Sequence, residues 1–405
     1  MKRVVKHRVL KLFNGTSLKF RLWIVLFFFA PSVFSQPADS LRINQVQVFM
    51  SHNSYRLKTY EPLYDELKRS KHPLCKAFLK RPWDYSHHTS LDSQLTVYGM
   101  RGLELDIYYD PNGGLFYQRK ANKMIDEKTE SGIEALKKPG MKLMHIPDFD
   151  YMTQHYTFTE ALHVIKKWSD QHPGHLPLFI MVEAKNFHAL KFMKKRFCSK
   201  VLPFTKNAVD SIDLEIKSVF GENTEKIITP DKIRGKYKTL NEAVLNNKWP
   251  LLSEARGKII FLFMAPKKVK ENYLENHFSL SGRIMFTYSD PGKPEAAFIK
   301  LEKPERQFSE IQQLVKQGYM VRTRADANTK EARRNSYERM NKALLSGAHL
   351  IATDYYIPDK RSVVAGSGWS NYKVAFQNGN ICRKNPLNTT FIYEEISSEK
   401  NYVTE

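Results

Sequence analysis

Imidazole and carboxylate side chains recur where the short apolar runs of this sequence end. The run QVQVFMS is followed by His52 and Asn53, the run GLELDIYY contains Glu104 and Asp106, and the run KLMHI contains His145. Histidine transfers protons near neutral pH, whereas carboxylate and amide oxygens bind hard divalent cations. The pattern therefore predicts acid–base chemistry beside a metal ion.

Strand periodicity places several of these side chains on shared faces. Residues two apart point the same way, so Glu104 and Asp106 lie side by side, as do Glu183 and Lys185 in the later run LPLFIMVEAK. Adjacent carboxylates repel one another, and buried charges are costly unless they are paired or bound to an ion. We therefore predict that the three acids, with the amide oxygen of Asn53, bind calcium or magnesium.

Each of these features also has a structural explanation when it is taken alone. An ExD pair on a strand is usually exposed charge, a single histidine is usually structural, and VEAK alone fits an ordinary ion pair. Their ordered recurrence at consecutive strand ends favours a functional site. Because oxygen ligands suffice for the cation, His52 and His145 are available for proton transfer.

Eight apolar runs, most of them separated by stretches with helical signals, must position these residues. They are QVQVFMS, GLELDIYY, KLMHI, LPLFIMVEAK, KIIFLFM, RIMFTYS, YMVRTRA and HLIATDYY. Strands that alternate with helices predict an α/β fold, a TIM-type (β/α)8 barrel in one domain over residues 36–357, with catalytic groups at the carboxyl ends of strands. Residues 57–89 form an insertion after strand 1, and residues 358–405 a C-terminal tail. An open doubly wound sheet is the alternative, although no GxGxxG follows the first run.

The first 35 residues have the features of an export signal. Seven cations precede or flank the apolar run LWIVLFFFA, which leads into PSVFS. Because this run is too short to span a bilayer, we expect cleavage after Ser35 and an exported protein, either periplasmic or secreted. A retained anchor is the alternative. The three cysteines have no CxxC or zinc-ligand spacing, so a metal–thiolate site is not expected.

The charge of the chain is strongly positive. The formal net charge is +22, and +15 is left when the seven cations of the leader are subtracted. For an exported monomer this charge predicts attraction to an anionic phospholipid membrane surface rather than to nucleic acid. Solubility alone is the simpler explanation, and composition does not exclude it.

Four segments, in this order, resemble the calcium-dependent phosphatidylinositol-specific phospholipase C family in its compact bacterial and fungal form. They are SHNSY, GLELDI, MHIPDFD and LPLFIMVEAKN, and the similarity continues to about residue 357. The resemblance implies a TIM-type barrel with calcium as its cofactor and an inositol phospholipid as its substrate. It also implies cleavage on the glycerol side of the phosphate, which gives diacylglycerol and a cyclic or open inositol phosphate.

The resemblance implies roles for the residues at the strand ends. His52 would be the general base that removes a proton from the inositol hydroxyl next to the phosphorus. His145 would protonate the leaving diacylglycerol oxygen or stabilise its charge. Calcium on Asn53 and the three acids would lower the pKa of the hydroxyl and neutralise charge on the phosphorus.

A second group of residues is expected to support the substrate or the base. Lys185 would hold a phosphate oxygen, and Arg322 and Arg324 would bind inositol hydroxyls or further phosphates.

Tyr355 or its neighbour Tyr356 would stack on the inositol ring, and Asp354 would orient His52. A structural salt network is the alternative for each.

Two other functions stay open at this stage. Glycerophosphodiester phosphodiesterases share the barrel, but their first motif usually has Arg-Gly after the histidine where this chain has HNS. Their second histidine is usually followed directly by aspartate, where this chain has HIPD. A non-catalytic basic barrel that binds membranes is the other possibility, and it would not need both histidines and all four metal ligands.

Overall fold

Parallel strands surround a central lumen in the computed structural model, which describes residues 38–79, 88–187, 193–389 and 395–396. The strands are β1 (Val46–Ser51), β2 (Gly102–Tyr108), β3 (Lys142–Leu143), β4 (Leu178–Ala184), β5 (Ile259–Met264), β6 (Phe286–Thr287), β7 (Phe298–Lys300), β8 (Met320–Arg324), β9 (Leu350–Thr353), β10 (Cys382–Lys384) and β11 (Glu395–Ile396). The predicted export signal lies outside the described residues.

Helices connect most of the barrel strands on the outside. They are α1 (Glu61–Arg69), α2 (Pro73–Leu79), α3 (Leu91–Thr96), α4 (Phe158–Gln171), α5 (Lys206–Phe220), α6 (Pro230–Arg234), α7 (Leu240–Leu245), α8 (Leu252–Ala255), α9 (Lys267–Leu274), α10 (Phe308–Lys316), α11 (Lys330–Arg334) and α12 (Glu338–Leu345). None of these helices is long and apolar enough to cross a bilayer, in the part of the chain that the structure describes.

The strand order confirms the predicted TIM-type barrel. Hydrogen-bonded neighbours run β6-β5-β4-β2-β1-β9-β8-β7. A bridge between Tyr288 and Phe298 joins the two ends, so the barrel of eight parallel strands is nearly closed.

The third of the predicted strands was assigned wrongly. The run KLMHI contributes only β3, which pairs antiparallel with β2 through Leu143 and Ile107 and stands outside the barrel path. The missing barrel strand is β7, which none of the predicted runs includes. With three residues, β7 is too short to produce a periodic hydrophobic signal.

Helix signals in the sequence are confirmed at α4. The hydroxyl of Thr157 accepts the main-chain N–H of Glu160, and the Glu160 carboxylate accepts the N–H of Thr157, each at 3.2 Å. This reciprocal cap fixes where the helix begins. The stretch TKEARRNSYERMNKALLSG forms two helices, α11 and α12, because Asn335 adopts a left-handed φ of 52° and ends the first of them.

Aromatic side chains fill the amino-terminal end of the barrel lumen. The ring of Phe298 on β7 lies 5.1 Å from that of Phe286 on β6 and 6.4 Å from that of Phe179 on β4, and Trp249 closes the group at 5.4 Å. This end is therefore a packed apolar core. The charged side chains collect at the opposite, carboxyl-terminal end, where TIM barrels carry their active sites.

The contact between β1 and β2 is short and depends on a glycine. The two strands pair only at Met50 and Gly102, and a Cβ at residue 102 would lie 2.4 Å from the Cβ of Met50. Below this point β10 pairs antiparallel with β1, with Cys382 opposite Val48. Part of the predicted C-terminal tail, residues 358–405, thus packs on the barrel. Helices α1 and α2 lie in the predicted insertion after strand 1.

Candidate active site

Three carboxylates meet at the carboxyl ends of β2 and β4. Glu104 and Asp106 share one face of β2, and the strand register places Glu183 of β4 directly opposite Asp106. One oxygen from each of the three side chains lies within 4.8 Å of the others. Alternation and register together therefore produce the acidic cluster that the sequence predicts.

Burial makes this cluster electrostatically costly without a cation. Burial raises the pKa of Glu104 to about 8, with Arg322 opposing the shift and Asp106 and Glu183 adding to it. The pKa of Asp106 is also raised, chiefly by burial. Oδ1 of Asp106 is buried and has no hydrogen-bond partner among the described residues. Buried, clustered carboxylate oxygens with an unsatisfied acceptor fit a calcium ion.

Lys185 supplies positive charge beside the cluster. Its Nζ lies 2.9 Å from Oδ2 of Asp106 and 2.8 Å from Oε2 of Glu183. Burial by itself would lower the pKa of Lys185, but these two carboxylates raise it well above its usual value. The predicted phosphate-binding lysine is thus held as an ammonium at the edge of the metal site.

Arg322 neutralises the third acid. Its Nη2 donates to Oε2 of Glu104 at 2.9 Å, and its Nη1 donates to Oε1 of Glu302 at 2.5 Å. The guanidinium is fully buried on β8. It therefore faces the lumen as predicted, but two carboxylates already bind it.

His52 lies next to the acidic cluster and is oriented by Asp354. The β1–β9 register pairs Ser51 with Thr353, so the residues that follow these two are neighbours. Nδ1 of His52 lies 2.7 Å from Oδ1 of Asp354, and its Nε2 lies 3.7 Å from Oε1 of Glu104. Because a carboxylate only accepts, Nδ1 carries the proton and Nε2 is the proton acceptor.

Arg324 completes the surroundings of His52. Its Nη2 donates to Oδ2 of Asp354 at 2.7 Å, and its Nη1 lies 3.5 Å from Nε2 of His52. Burial and Arg324 lower the pKa of His52 to about 4, although Asp354 acts in the opposite direction. The imidazole is consequently neutral at pH 7. Asn53 follows it with a left-handed φ of 50°, which ends the strand, and its side chain is buried.

His145 forms a second histidine–carboxylate pair. Its Nδ1 lies 2.6 Å from Oδ2 of Asp150, and Nε of Arg56 donates to the same oxygen at 2.8 Å. Tyr108 at the end of β2 donates its hydroxyl to the main-chain carbonyl of His145 at 2.9 Å. His145 is among the groups that lower the pKa of Asp106. His52 thus lies beside the acidic cluster, and His145 is near enough to Asp106 to act on its charge.

A model of the family described as "Phosphoinositide phospholipase C, Ca2+-dependent" matches residues 41–386. The chain belongs to this family. It is accordingly a phosphodiester hydrolase of the phospholipase C type with calcium as its cofactor, and its family implies a phosphoinositide lipid substrate. No curated protein sequence matches the chain.

Solved structures of calcium-dependent phosphoinositol-specific phospholipases C are similar to this chain. The apo enzyme from a Pseudomonas species, in crystal form 2, is 15% identical with a TM-score of 0.49, and the match covers 87% of this chain and 98% of that one. Its myo-inositol complex is 14% identical with a TM-score of 0.48, over 86% and 96%. The enzyme from Streptomyces antibioticus is 15% identical with a TM-score of 0.45, over 78% and 95%.

Tyr355 is not at the site of this phospholipase C, although we predicted that it binds substrate. Its side chain is 2% exposed and packs against Trp369 and Tyr372, at 6.1 Å between ring centroids in each case. The physical reason is that β9 ends at Thr353, and the turn after it directs Asp354 to His52 and Tyr355 into the outer apolar cluster. Tyr356 is also buried.

Several residues at the site of this family member were missed. Asp150 and Arg56 lie in loops, and Glu302 follows the undetected strand β7. Tyr288 follows β6 on the face of Phe286, and its buried hydroxyl has no hydrogen-bond partner among the described residues. Only Asp150 had a sequence signal, since it stands five residues after His145 in a segment rich in acids.

Proposed function

We propose that this phospholipase C cleaves phosphatidylinositol-type lipids between the phosphate and the glycerol, with His52 as general base and His145 as general acid. The observation that supports the proposal most directly is the pair of histidine–carboxylate contacts, His52 with Asp354 and His145 with Asp150. Each histidine holds Nδ1 against an aspartate, which orients the ring and directs Nε2 toward reacting atoms.

The reaction follows from these two nitrogens. Nε2 of His52 accepts the proton of the inositol hydroxyl next to the phosphate, and the hydroxyl oxygen forms a bond to phosphorus. The bond from phosphorus to the glycerol oxygen breaks, and His145 donates a proton to that oxygen. The products are diacylglycerol and a cyclic inositol phosphate, which water then opens by the reverse proton transfers.

The metal site supports the same step. Calcium held by the acidic cluster and Asn53 would lower the pKa of the attacking hydroxyl and neutralise charge at phosphorus. Lys185 places its ammonium at the edge of that site, where it can bind a phosphate oxygen. Arg322 and Arg324 line the neighbouring wall, and the hydroxyl of Tyr288 offers a hydrogen bond to the inositol ring.

We further propose that the protein binds an anionic phospholipid surface with the mouth of its barrel. Exposed apolar side chains lie on three segments that leave the carboxyl ends of barrel strands: Leu74 on α2, Phe187 after β4, and Val363 with Val364 after β9. Phe187 is 59% and Val363 85% exposed. We call these four residues the apolar rim. Exposed Lys360 lies in the same segment as the two valines and adds attraction to anionic lipid.

The proposed setting of this activity is outside the cytoplasm. The cationic and apolar leader of residues 1–35 supports export, either to a periplasm or to the medium. The excess of positive charge supports adhesion to anionic membranes there, with the protein acting as a monomer.

The test is a product analysis with residues 36–405. Vesicles of phosphatidylinositol and phosphatidylcholine are incubated with calcium, and phosphorus NMR follows the headgroup. We expect a cyclic inositol phosphate as the first product, together with diacylglycerol. Release of free alcohol and glycerol phosphate from glycerophosphoinositol would instead support a glycerophosphodiester phosphodiesterase, and vesicle binding without turnover would support a non-catalytic barrel.

The membrane proposal has a matched control. Val363→Asp and Phe187→Asp are expected to weaken binding to the vesicles at least about tenfold, as measured by co-sedimentation, because each places a charge where an apolar side chain meets lipid. Leu345→Asp is the control, since this exposed leucine ends α12 just before β9 enters the barrel from the opposite end. An equal loss in all three variants would contradict a docking role for the apolar rim.

A further inference from the structure

A second buried carboxylate lies behind the pair formed by His52 and Asp354. Asp326, in the loop after β8, is completely buried. Its Oδ1 accepts the main-chain N–H of Asp354 at 2.9 Å, and its Oδ2 accepts the hydroxyl of Thr353. The hydroxyl of Tyr372 lies 3.5 Å from the same Oδ2. Asp326 therefore binds the main chain and side chain of the turn that carries Asp354.

The sheet holds only the start of this turn, where the main-chain carbonyl of Thr353 accepts the N–H of His52 at 2.9 Å. β9 ends at Thr353, so Asp354 lies beyond the last residue that pairs with β1 and β8. The hydroxyl of Thr353 also accepts the N–H of Tyr355 at 2.8 Å, so one aspartate anchors both ends of the turn. The direction of the Asp354 carboxylate depends on this anchoring, because a side chain leaves its Cα along a direction set by the main chain.

The position of that carboxylate decides the state of His52. Asp354 reaches Nδ1 of His52 and Nη2 of Arg324, both at 2.7 Å. If the turn moved by an ångström, the contact to Nδ1 would be lost and the ring could rotate or change tautomer. A displacement of that size costs about 100-fold in rate at a catalytic group.

We propose that Asp326 is a positioning residue of the reaction: it fixes the turn at Asp354, so that Asp354 holds the His52 ring with Nε2 toward the acidic cluster. This inference rests on the proposed role of His52 as general base. Asp326 does not touch the substrate site itself, and its effect passes through Asp354.

The cost of this arrangement supports a functional role. Asp326 and Asp354 are two buried carboxylates beside one guanidinium, that of Arg324. Burial and the charge of Asp354 raise the pKa of Asp326 to about 7. An asparagine or a threonine would close the turn without like-charge repulsion. A carboxylate is a strong acceptor for both the N–H of Asp354 and the hydroxyl of Thr353, which explains why residue 326 is an acid.

The experiment compares Asp326→Ala with Asp326→Asn in residues 36–405. Alanine removes both acceptors, whereas asparagine keeps an oxygen for the N–H of Asp354 and can donate its amide to the hydroxyl of Thr353. We expect Asp326→Ala to lower kcat on phosphatidylinositol vesicles by about 100-fold with little change in KM. Asp326→Asn should recover activity to within about tenfold of the wild type, because it restores the hydrogen bonds without the charge.

The ring of His52 gives a readout that does not depend on turnover. Nitrogen-15 NMR of labelled histidine, assigned with His52→Ala, reports which ring nitrogen carries the proton. We expect the Nδ1–H form in the wild type and in Asp326→Asn, and a mixture of tautomers in Asp326→Ala. If the wild type cleaves no phosphatidylinositol, the proposed function fails, while the tautomer of His52 still tests the role of Asp326.

Asp213 on α5 is a matched control. It is also a buried aspartate that accepts a tyrosine hydroxyl, that of Tyr273 at 2.8 Å, and it lies on the outer helical layer. Asp213→Ala should lose stability but keep kcat per folded molecule and the His52 tautomer. If Asp326→Ala behaves in the same way, the proposal is wrong.

Should Asp326→Ala fail to fold, Thr353→Val decides the question. This variant removes the Thr353 hydroxyl, which donates to Asp326 and accepts the N–H of Tyr355, and it keeps the hydrogen bond from the N–H of Asp354. We expect a loss in kcat of about tenfold, with a detectable second tautomer of His52. An unchanged kcat and an unchanged tautomer in Thr353→Val would overturn the proposal.

Discussion

His52 and His145 each hold Nδ1 against a buried aspartate, and the two contacts are almost equal in length. His52 lies 2.7 Å from Asp354, and His145 lies 2.6 Å from Asp150. The first pair is built by strands, since it continues the register of β1 and β9. The second is built within one loop, five residues apart, after β3. Similar local chemistry is thus reached from different parts of the fold.

The two pairs differ more in how an arginine binds the aspartate than in the histidine–aspartate distance. At Asp354, histidine and Arg324 occupy separate oxygens, and the guanidinium also lies 3.5 Å from Nε2 of His52. At Asp150, Arg56 binds the same oxygen as the histidine, and its Nη2 donates to Thr59 at 2.7 Å. The cation beside Nε2 helps to keep His52 neutral, so that this nitrogen can accept a proton. The cation at Asp150 binds the aspartate oxygen that His145 also contacts, so it acts on this histidine through the aspartate.

Calcium at the acidic cluster would act on the same phosphate as both histidines, so its removal should have the largest effect. EDTA is expected to abolish cleavage of phosphatidylinositol, and calcium should restore it better than magnesium, which prefers strict octahedral geometry with several waters. Asp106→Asn should weaken calcium binding by at least about tenfold in calorimetry, because it removes a charged ligand. Equal rescue by magnesium would contradict the assignment of calcium to this oxygen site.

Removal of either histidine tests the comparison directly. General acid and base groups contribute about 100-fold to 10,000-fold each. We expect His52→Ala to be near the upper limit, since the attacking hydroxyl is a weak acid, and His145→Ala to be less severe. Initial rates of diacylglycerol release measure both. Unchanged release in both variants would remove the catalytic assignment, and a leaving group that is already acidic should rescue only His145→Ala.

Removal of Arg324, beside His52, should lower kcat more than removal of Arg56, beside His145. Arg324→Met removes a contact to Asp354 and the charge near Nε2, so kcat should fall about tenfold or more. Arg56→Met should lower kcat less, because Arg56 acts only through Asp150 and the loop. Arg283→Met controls for the loss of a buried guanidinium, since Arg283 is buried and pairs with the partly exposed Asp210 of α5. If Arg56→Met proved the more harmful to kcat, the assignment of base and acid would have to be reversed.

The sequence was sufficient for the parts of the site that follow from periodicity within one strand. Glu104 and Asp106 share a face because they are two residues apart. Glu183 lies beside them because β4 pairs directly with β2, whereas the predicted strand order placed another strand between these two. The same rule does not extend to Tyr355, because β9 ends at Thr353 and the residues after it form a turn.

Contacts between residues far apart in the sequence could not be predicted in this way. Arg56 and Asp150 are 94 residues apart, and Arg322 and Glu104 are 218 residues apart. The first pair depends on how two loops pack together and the second on how β8 and β2 face each other in the barrel, and a single sequence carries no periodic signal for either. Short strands fail for a related reason: β7 has too few residues to alternate visibly, so Glu302 beside it was missed as well.

The last prediction concerns stability, where the pair at His145 should show a pH dependence. Burial alone would raise the pKa of Asp150, but Arg56 and His145 lower it from 3.8 to about 2. A carboxyl whose pKa is lower in the folded state stabilises the fold above its unfolded pKa of 3.8. That contribution is lost as the pH falls through 2.

Arg56→Met should therefore lower the free energy of unfolding by about 3 kcal/mol at pH 7, since it leaves a buried carboxylate without its ion-pair partner. At pH 3 the unfolded chain already binds a proton at this residue, and the folded variant can do so too, so the difference from wild type should shrink. Urea denaturation at the two pH values measures it. An equal loss at pH 7 and pH 3 would mean that Arg56 stabilises the loop by packing, and the contrast between the two histidine pairs would then rest on Arg324 alone.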